Sequence, residues 1–147
     1  MNKESSDHTN LTHALLIKDL MPERELRVGD RVWCKRIKKY GTVIRVRIQT
    51  VMVLFDDYGE YGRTIRIGKS SLARLFTFSE IWEELPCVIL VDGYNYFKTL
   101  TGTSFLYLHL TTYANLERGK VLELGFYTPI PANAAAEMLA WVRKEKR

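Results

Sequence analysis

Apolar positions along the chain change rhythm twice. In Asn10–Met21, NLTHALLIKDLM, Leu11, Ala14, Leu15 and Leu20 recur near helical spacing, with Thr9 or Asn10 available as a cap and Pro22 as the stop. The charged PERELRVGD that follows reads as a linker ending in a Gly29–Asp30 turn. From Asp30 the rhythm becomes short strands broken by glycine or polar turns, as in a small all-β barrel rather than in βαβ units. Strands are predicted over Arg31–Ile37, Thr42–Ile48, Val51–Asp56 and Thr64–Ile67, with a last piece at Leu75–Phe78. In the second, Ile44, Val46 and Ile48 alternate with Arg45 and Arg47, which assigns the aliphatic side chains to the core and the arginines to the outside. The third, VMVLF, is apolar on both faces and suits a strand with the core on one side and another element on the other. Gln49–Thr50 between them predicts a hairpin.

Ser79–Leu85, SEIWEEL, is predicted as a short helix capped by Ser79 and stopped by Pro86. Beyond it CVILVDG, SFLYLHL and KVLELGFY read as strands, the last two joined through TTYANLERG. The chain closes on a helix in TPIPANAAAEMLAWVRKEKR. Asn133 is its expected cap, Ala135, Met138, Leu139 and Val142 form an i, i+3, i+4, i+7 stripe, and the basic end complements the helix dipole. The expected class is α+β, with an N-terminal tail and helix (1–26), a small basic barrel (27–78), and a linker helix leading to an antiparallel sheet with a C-terminal helix (79–147).

Length and composition fit that size: 147 residues, 46% hydrophobic and 12% aromatic, hold a core but not a large multilayered catalytic fold. No apolar run is long enough to span a membrane, and a soluble cytoplasmic protein is expected. Cys34 and Cys87 stand in apolar runs and read as buried free thiols. His8, His13 and His109 have no metal-ligand spacing, and His109 reads as a core residue; neither a metal nor a cofactor is expected.

Charge sharpens the picture. From Arg31 to Arg74 there are eleven basic residues against Asp56, Asp57 and Glu60, a local charge of +8 that leaves −3 for the rest of a chain of net charge +5. Such density favours a polyanion or an acidic protein surface. Arg31, Lys35, Lys38, Lys39, Arg45, Arg47, Arg63 and Arg66 are the candidate phosphate contacts. Trp33, Tyr40, Tyr58 and Tyr61 are candidate stacking residues, with Asp56 and Asp57 as an acidic rim.

Val28–Leu75 runs VGDRVWCKRIKKYGTVIRVRIQTVMVLFDDYGEYGRTIRIGKSSLARL. It resembles the Tudor and KOW-like group of SH3-type barrels, most of all the small C-terminal barrel of UvrD- and PcrA-type helicases. The resemblance implies a binding module without catalytic residues that contacts nucleic acid or protein. In some Tudor domains aromatic walls at the positions of Trp33, Tyr40, Phe55, Tyr58 and Tyr61 hold a methylated cation, but the basic surroundings here fit bases or an anionic surface better. A second stretch, VILVDGYNYF, is similar to the opening strand of NYN and PIN-like nucleases, with Asp92 as a metal carboxylate and Asn95 beside it. The further carboxylates such chemistry needs do not follow in the chain, so a turn at Asp92–Gly93 between antiparallel strands is the stronger expectation. No Walker loop, GxGxxG, GxSxG or HExxH occurs. The expected function is a non-catalytic nucleic-acid-associated protein with no small-molecule substrate and no membrane role. The alternative is a protein-interaction adaptor or a small subunit of a larger nucleic-acid-processing complex.

Overall fold

The computed structural model of the chain describes residues 8–56, 63–91, 93–102, 109–115 and 122–145. It is α+β, with two antiparallel sheets and three helices among those residues. The first sheet contains β1 (Arg31–Cys34), β2 (Lys39–Val46), β3 (Thr50–Phe55), β4 (Arg63–Gly68) and, after a single 3₁₀ turn at Lys69–Ser71, β5 (Leu72–Arg74). Its order is β4-β3-β2-β1-β5. Among the described residues no pairing of β4 with β5 closes it. The second sheet runs β6 (Val88–Val91), β7 (Tyr94–Gly102), β8 (His109–Asn115) and β9 (Leu122–Thr128) in chain order. The helices are α1 (Leu11–Ile17), α2 (Phe78–Glu84) and α3 (Pro131–Glu145).

Several element boundaries differ from the sequence expectation for identifiable reasons. The closing strand lies at Leu72–Arg74 rather than Leu75–Phe78, because Thr77 starts α2 with a reciprocal cap: its hydroxyl accepts the Glu80 N–H and the Glu80 carboxylate accepts the Thr77 N–H. Ser79 is therefore inside the helix rather than its cap. Likewise α3 begins at Pro131, whose missing N–H suits a first turn, and Asn133 lies within it. TTYAN belongs to β8 rather than to a connection, and most of SFLYLHL lies outside the described residues. Strands β6 and β7 are antiparallel neighbours as expected, with Val91 paired to Tyr94 and Gly93 between them at φ +80, a left-handed conformation glycine adopts without strain; the Asp92 half of the expected turn lies outside the described residues.

The inner face of the first sheet is a small aliphatic core: Val32, Cys34, Val43, Val51, Val53, Phe55, Ile67 and Leu72. Here β2 departs from simple alternation. Val43 pairs with Val53 and Arg45 with Met52, so Ile44 is an extra residue at a bulge. The bulge sets Val43 and Val46 inward and Arg45 outward, and it leaves Ile44 42% exposed; Ile48, in the hairpin turn, is 92% exposed. Neither is the core residue that alternation suggested. Gly41 faces the same core, where a Cβ would lie 2.5 Å from Val53 Cγ1, so the strand crossing needs glycine.

A second core joins everything else. Ala14, Ile17 and Met21 of the N-terminal region, Ile81 and Leu85 around α2, Ile89 and Tyr96 of the second sheet, and Tyr40, Leu75 and Phe76 from the first sheet meet around α3. The expected stripe Ala135, Met138, Leu139 and Val142 is buried, and so are Ala132, Ala134 and Ala136. Alanines on the remaining sides let α1, α2 and the β8–β9 strands all approach one helix.

The N-terminal segment ties the two halves together. His8 bridges to Thr77, and the Thr9 N–H donates to the Phe76 carbonyl at 2.9 Å while the Thr9 hydroxyl accepts the Phe76 N–H at 3.2 Å. Asn10 caps α1 through the His13 N–H, and its own N–H donates to the Asn133 side chain at 3.0 Å. The Tyr40 hydroxyl accepts the Leu11 N–H, one of the donors a helix start leaves unpaired. Of the cysteines Cys34 is buried, but Cys87 is exposed rather than buried, standing just before β6 outside either core.

Candidate nucleic-acid interface

The outer face of the first sheet is divided. At the start of β2, Tyr40 lies opposite Trp33 of β1, their ring centroids 4.7 Å apart in an edge-on arrangement, and both rings pack into the helical core. Tyr40 is only 8% exposed. These two predicted stacking residues join the halves of the molecule instead of facing a ligand. Tyr58, Tyr61 and Asp57 lie outside the described residues.

The predicted basic residues also divide. Arg31 is largely buried and grips Asp56 with two hydrogen bonds of 2.7 and 2.6 Å, while its guanidinium also reaches the Thr42 hydroxyl at 3.3 Å. A bidentate pair of this kind holds the β1–β2–β3 corner together. Asp56 is thus the counterion of Arg31 rather than an open acidic rim. Lys35 and Lys38 are exposed in the β1–β2 turn, and Lys39 is half-buried. The Arg63 side chain falls outside the described set.

The remaining three come together. Arg45 of β2 lies opposite Met52 of β3, which lies opposite Arg66 of β4, so the two arginines flank Met52 on one outward row about 10 Å apart. Arg47 stands exposed at the hairpin just beyond, where its N–H donates to the Thr50 carbonyl. The neighbouring outward row is Thr42, Leu54 and Thr64. Among the described residues no carboxylate pairs with Arg45, Arg47 or Arg66, whereas Arg24, Arg31 and Arg74 all have one. The Lys69 N–H donates to the Gln49 carbonyl, which brings a fourth cation to this end of the sheet. Leu54, Ile44 and Ile48 add exposed aliphatic surface. Only the bulge places Ile44 beside the arginines, and strand alternation alone gives no sign of it.

A separate charged network closes the far side. Arg24 is bidentate to Asp30 at 2.7 and 2.9 Å, Arg74 reaches Glu80 at 2.6 Å, and Arg24 approaches Glu80 at 3.8 Å. Partial burial pushes both carboxyls up, but the opposing effects win. Hydrogen bonds from Arg24 and the Arg27 N–H hold Asp30 below its ordinary value, and those from Arg74 and the Thr77 N–H do the same for Glu80. Both groups bind protons more weakly folded than unfolded, so the network stabilises at neutral pH. Its contribution declines as pH falls below the ordinary carboxyl values of 3.8 and 4.5 and is gone below the lowered folded ones. Denaturant unfolding at pH 7 and pH 3 is expected to show a smaller pH-dependent loss for Asp30→Asn/Glu80→Gln than for wild type; equal losses would contradict the assignment.

Among the described residues no group of three or more His, Cys, Asp or Glu could hold a metal ion. Asp92 lies outside those residues, and Asn95 is exposed on β7. No helix among the described residues is long and apolar enough to cross a membrane. Comparison with protein-family models, curated proteins and solved structures finds no match to the chain.

Proposed function

We propose that the chain is a non-catalytic nucleic-acid-binding protein whose contact surface is the outer face of β2–β3–β4, with Arg45, Arg47 and Arg66 as the phosphate ligands. The observation that carries this reading is the contrast among the arginines. Three point outward from one sheet face with no carboxylate beside them, whereas Arg24, Arg31 and Arg74 are each paired within the fold. Arg27 and Arg36 are also exposed without a carboxylate among the described residues, but they stand in loops on either side of β1 and not on this face. Cations left unpaired on a sheet favour a phosphate backbone and the release of its counterions. A flat strand surface with exposed aliphatic side chains also suits a single strand, whose bases lie open, better than a duplex groove.

The five-stranded sheet is read as an SH3-type barrel. The strand order, the 3₁₀ turn just before the last strand and the single core on its inner face support that reading, and a binding rather than a catalytic role accords with it. A second reading, an adaptor for an acidic protein surface or a subunit of a larger complex, draws on Ile44, Leu54 and Ile48, which give the same face apolar area that phosphate contact does not need. Fluorescence anisotropy with a labelled single-stranded oligonucleotide, for wild type and for the Arg45/Arg47/Arg66 charge-reversal variant, tests the first. Binding by neither protein would sink it in favour of the second.

A further inference from the structure

Strand β5 is an edge of its sheet, and one side of it faces a groove of about 460 Å³ beneath α1. The hydrogen bonds define what that edge presents. The Lys35 N–H donates to the Ser71 carbonyl and the Leu75 N–H to the Arg31 carbonyl, so the bonded pairs with β1 fall at 71, 73 and 75. The backbone groups of Leu72 and Arg74 therefore point away from β1. The Leu72 N–H is taken by the Lys69 carbonyl. The Leu72 carbonyl and the N–H and carbonyl of Arg74 face the groove side without a protein partner among the described residues. Backbone groups of this kind are a template for a further strand.

The chain itself uses the continuation of the same edge. Immediately beyond β5, Phe76 exchanges hydrogen bonds with Thr9, and Thr77 forms an antiparallel bridge with His8. Strand addition is thus already made where β5 ends, and it stops at Asn10 because α1 begins there.

We infer that the groove between α1 and β5 receives an extended peptide segment of a partner protein, which adds to β5 as a strand. Two observations select this occupant. The groove has an apolar floor, where Leu72 and Phe76 are almost fully buried in the two cores, and one open apolar side chain, Leu15 of α1 at 52% exposed, against which an apolar residue of a strand can pack. Its charges are of both signs. Arg24 and Arg74 are neutralised by Asp30 and Glu80, which leaves Lys18 and Lys35 as open cations and Glu23 and Glu25 as open anions of the lining. A polyanion would meet those two carboxylates, whereas a peptide can set an acidic side chain toward the lysines and its backbone along the Arg74 edge.

The test starts from a displayed library of random ten-residue peptides selected on the full-length protein. Enriched sequences are expected to alternate apolar with polar positions and to carry an acidic residue. A synthetic copy is expected to bind at least tenfold more weakly to Leu15→Glu and to Lys18→Glu, both altered at exposed positions, and to slow hydrogen exchange at the Arg74 amide. Should Leu15→Glu lower the melting temperature, Lys18→Glu carries the comparison. Oligonucleotide binding is expected to be unchanged in both variants. No enrichment, equal binding to the variants, or an unprotected Arg74 amide in the complex would overturn the inference, whatever the outcome for the arginine face.

Discussion

Replacing Arg45, Arg47 and Arg66 together by glutamate is expected to weaken binding of a single-stranded oligonucleotide about 100-fold at roughly 0.1 M salt. The size follows from counterion release: each phosphate neutralised on a single strand adds about 0.7 to the salt slope, so three contacts are worth about two powers of ten at that salt. The fold is expected to be indifferent, because all three side chains are exposed and none closes an ion pair among the described residues. Location matters as much as charge. Lys35, Arg36 and Lys38 stand at the other end of β2, roughly 20 Å away along the strand, and reversing them is expected to change affinity less than tenfold. Anisotropy titrations of the two triple variants, with melting temperatures as the control, measure this. Equal losses would mean diffuse attraction to a basic protein and not a site.

The largest expected effect on stability lies at the centre of α3. Leu139→Ala is expected to cost about 2–5 kcal/mol, out of the 5–15 kcal/mol typical of a domain this size. Leu139 is fully buried in the core where α1, α2 and the second sheet meet, and the alanines around it offer little with which to fill a void. Since α1 docks on α3 and is hydrogen-bonded to Tyr40, while Thr9 just before it is hydrogen-bonded to Phe76 of the first-sheet half, loss of the α3 core is expected to loosen both halves in one transition. Denaturant unfolding followed by far-ultraviolet circular dichroism and by tryptophan fluorescence checks this. Coincident, shifted transitions are expected, and separate transitions would show that the first sheet folds independently of α3.

Local pattern carried much of this architecture. The β2–β3 hairpin, the reversal between β6 and β7 and the buried stripe of α3 each depend on residues close in sequence and are present as expected, although the hairpin loop falls at Ile48–Gln49 and not at Gln49–Thr50, because Thr50 already pairs in β3. What escaped the pattern depends on distant partners. Tyr40 and Trp33 look like surface aromatics until the helical core, assembled from segments distant in sequence, covers them, with the Leu11 N–H of α1 donating to the Tyr40 hydroxyl. Arg31 looks like a phosphate ligand until the hairpin brings Asp56 within 2.6 Å. Ile44 looks like core because a bulge leaves no mark in the alternation of a single strand; it shows only in the offset between Val43–Val53 and Arg45–Met52. Of the candidate site, the outward arginines were legible because Arg45 and Arg47 flank Val46. Their isolation from carboxylates, and the position of Arg66 in the same row, required three strands in register.

The most direct test of the arginine face is the salt dependence of oligonucleotide binding by the intact chain. A plot of log K against log salt is expected to fall with a slope of about −2 for three phosphate contacts, and to flatten toward zero in the Arg45/Arg47/Arg66 variant. A wild-type slope near zero, or one that the three substitutions leave unchanged, would contradict the assignment.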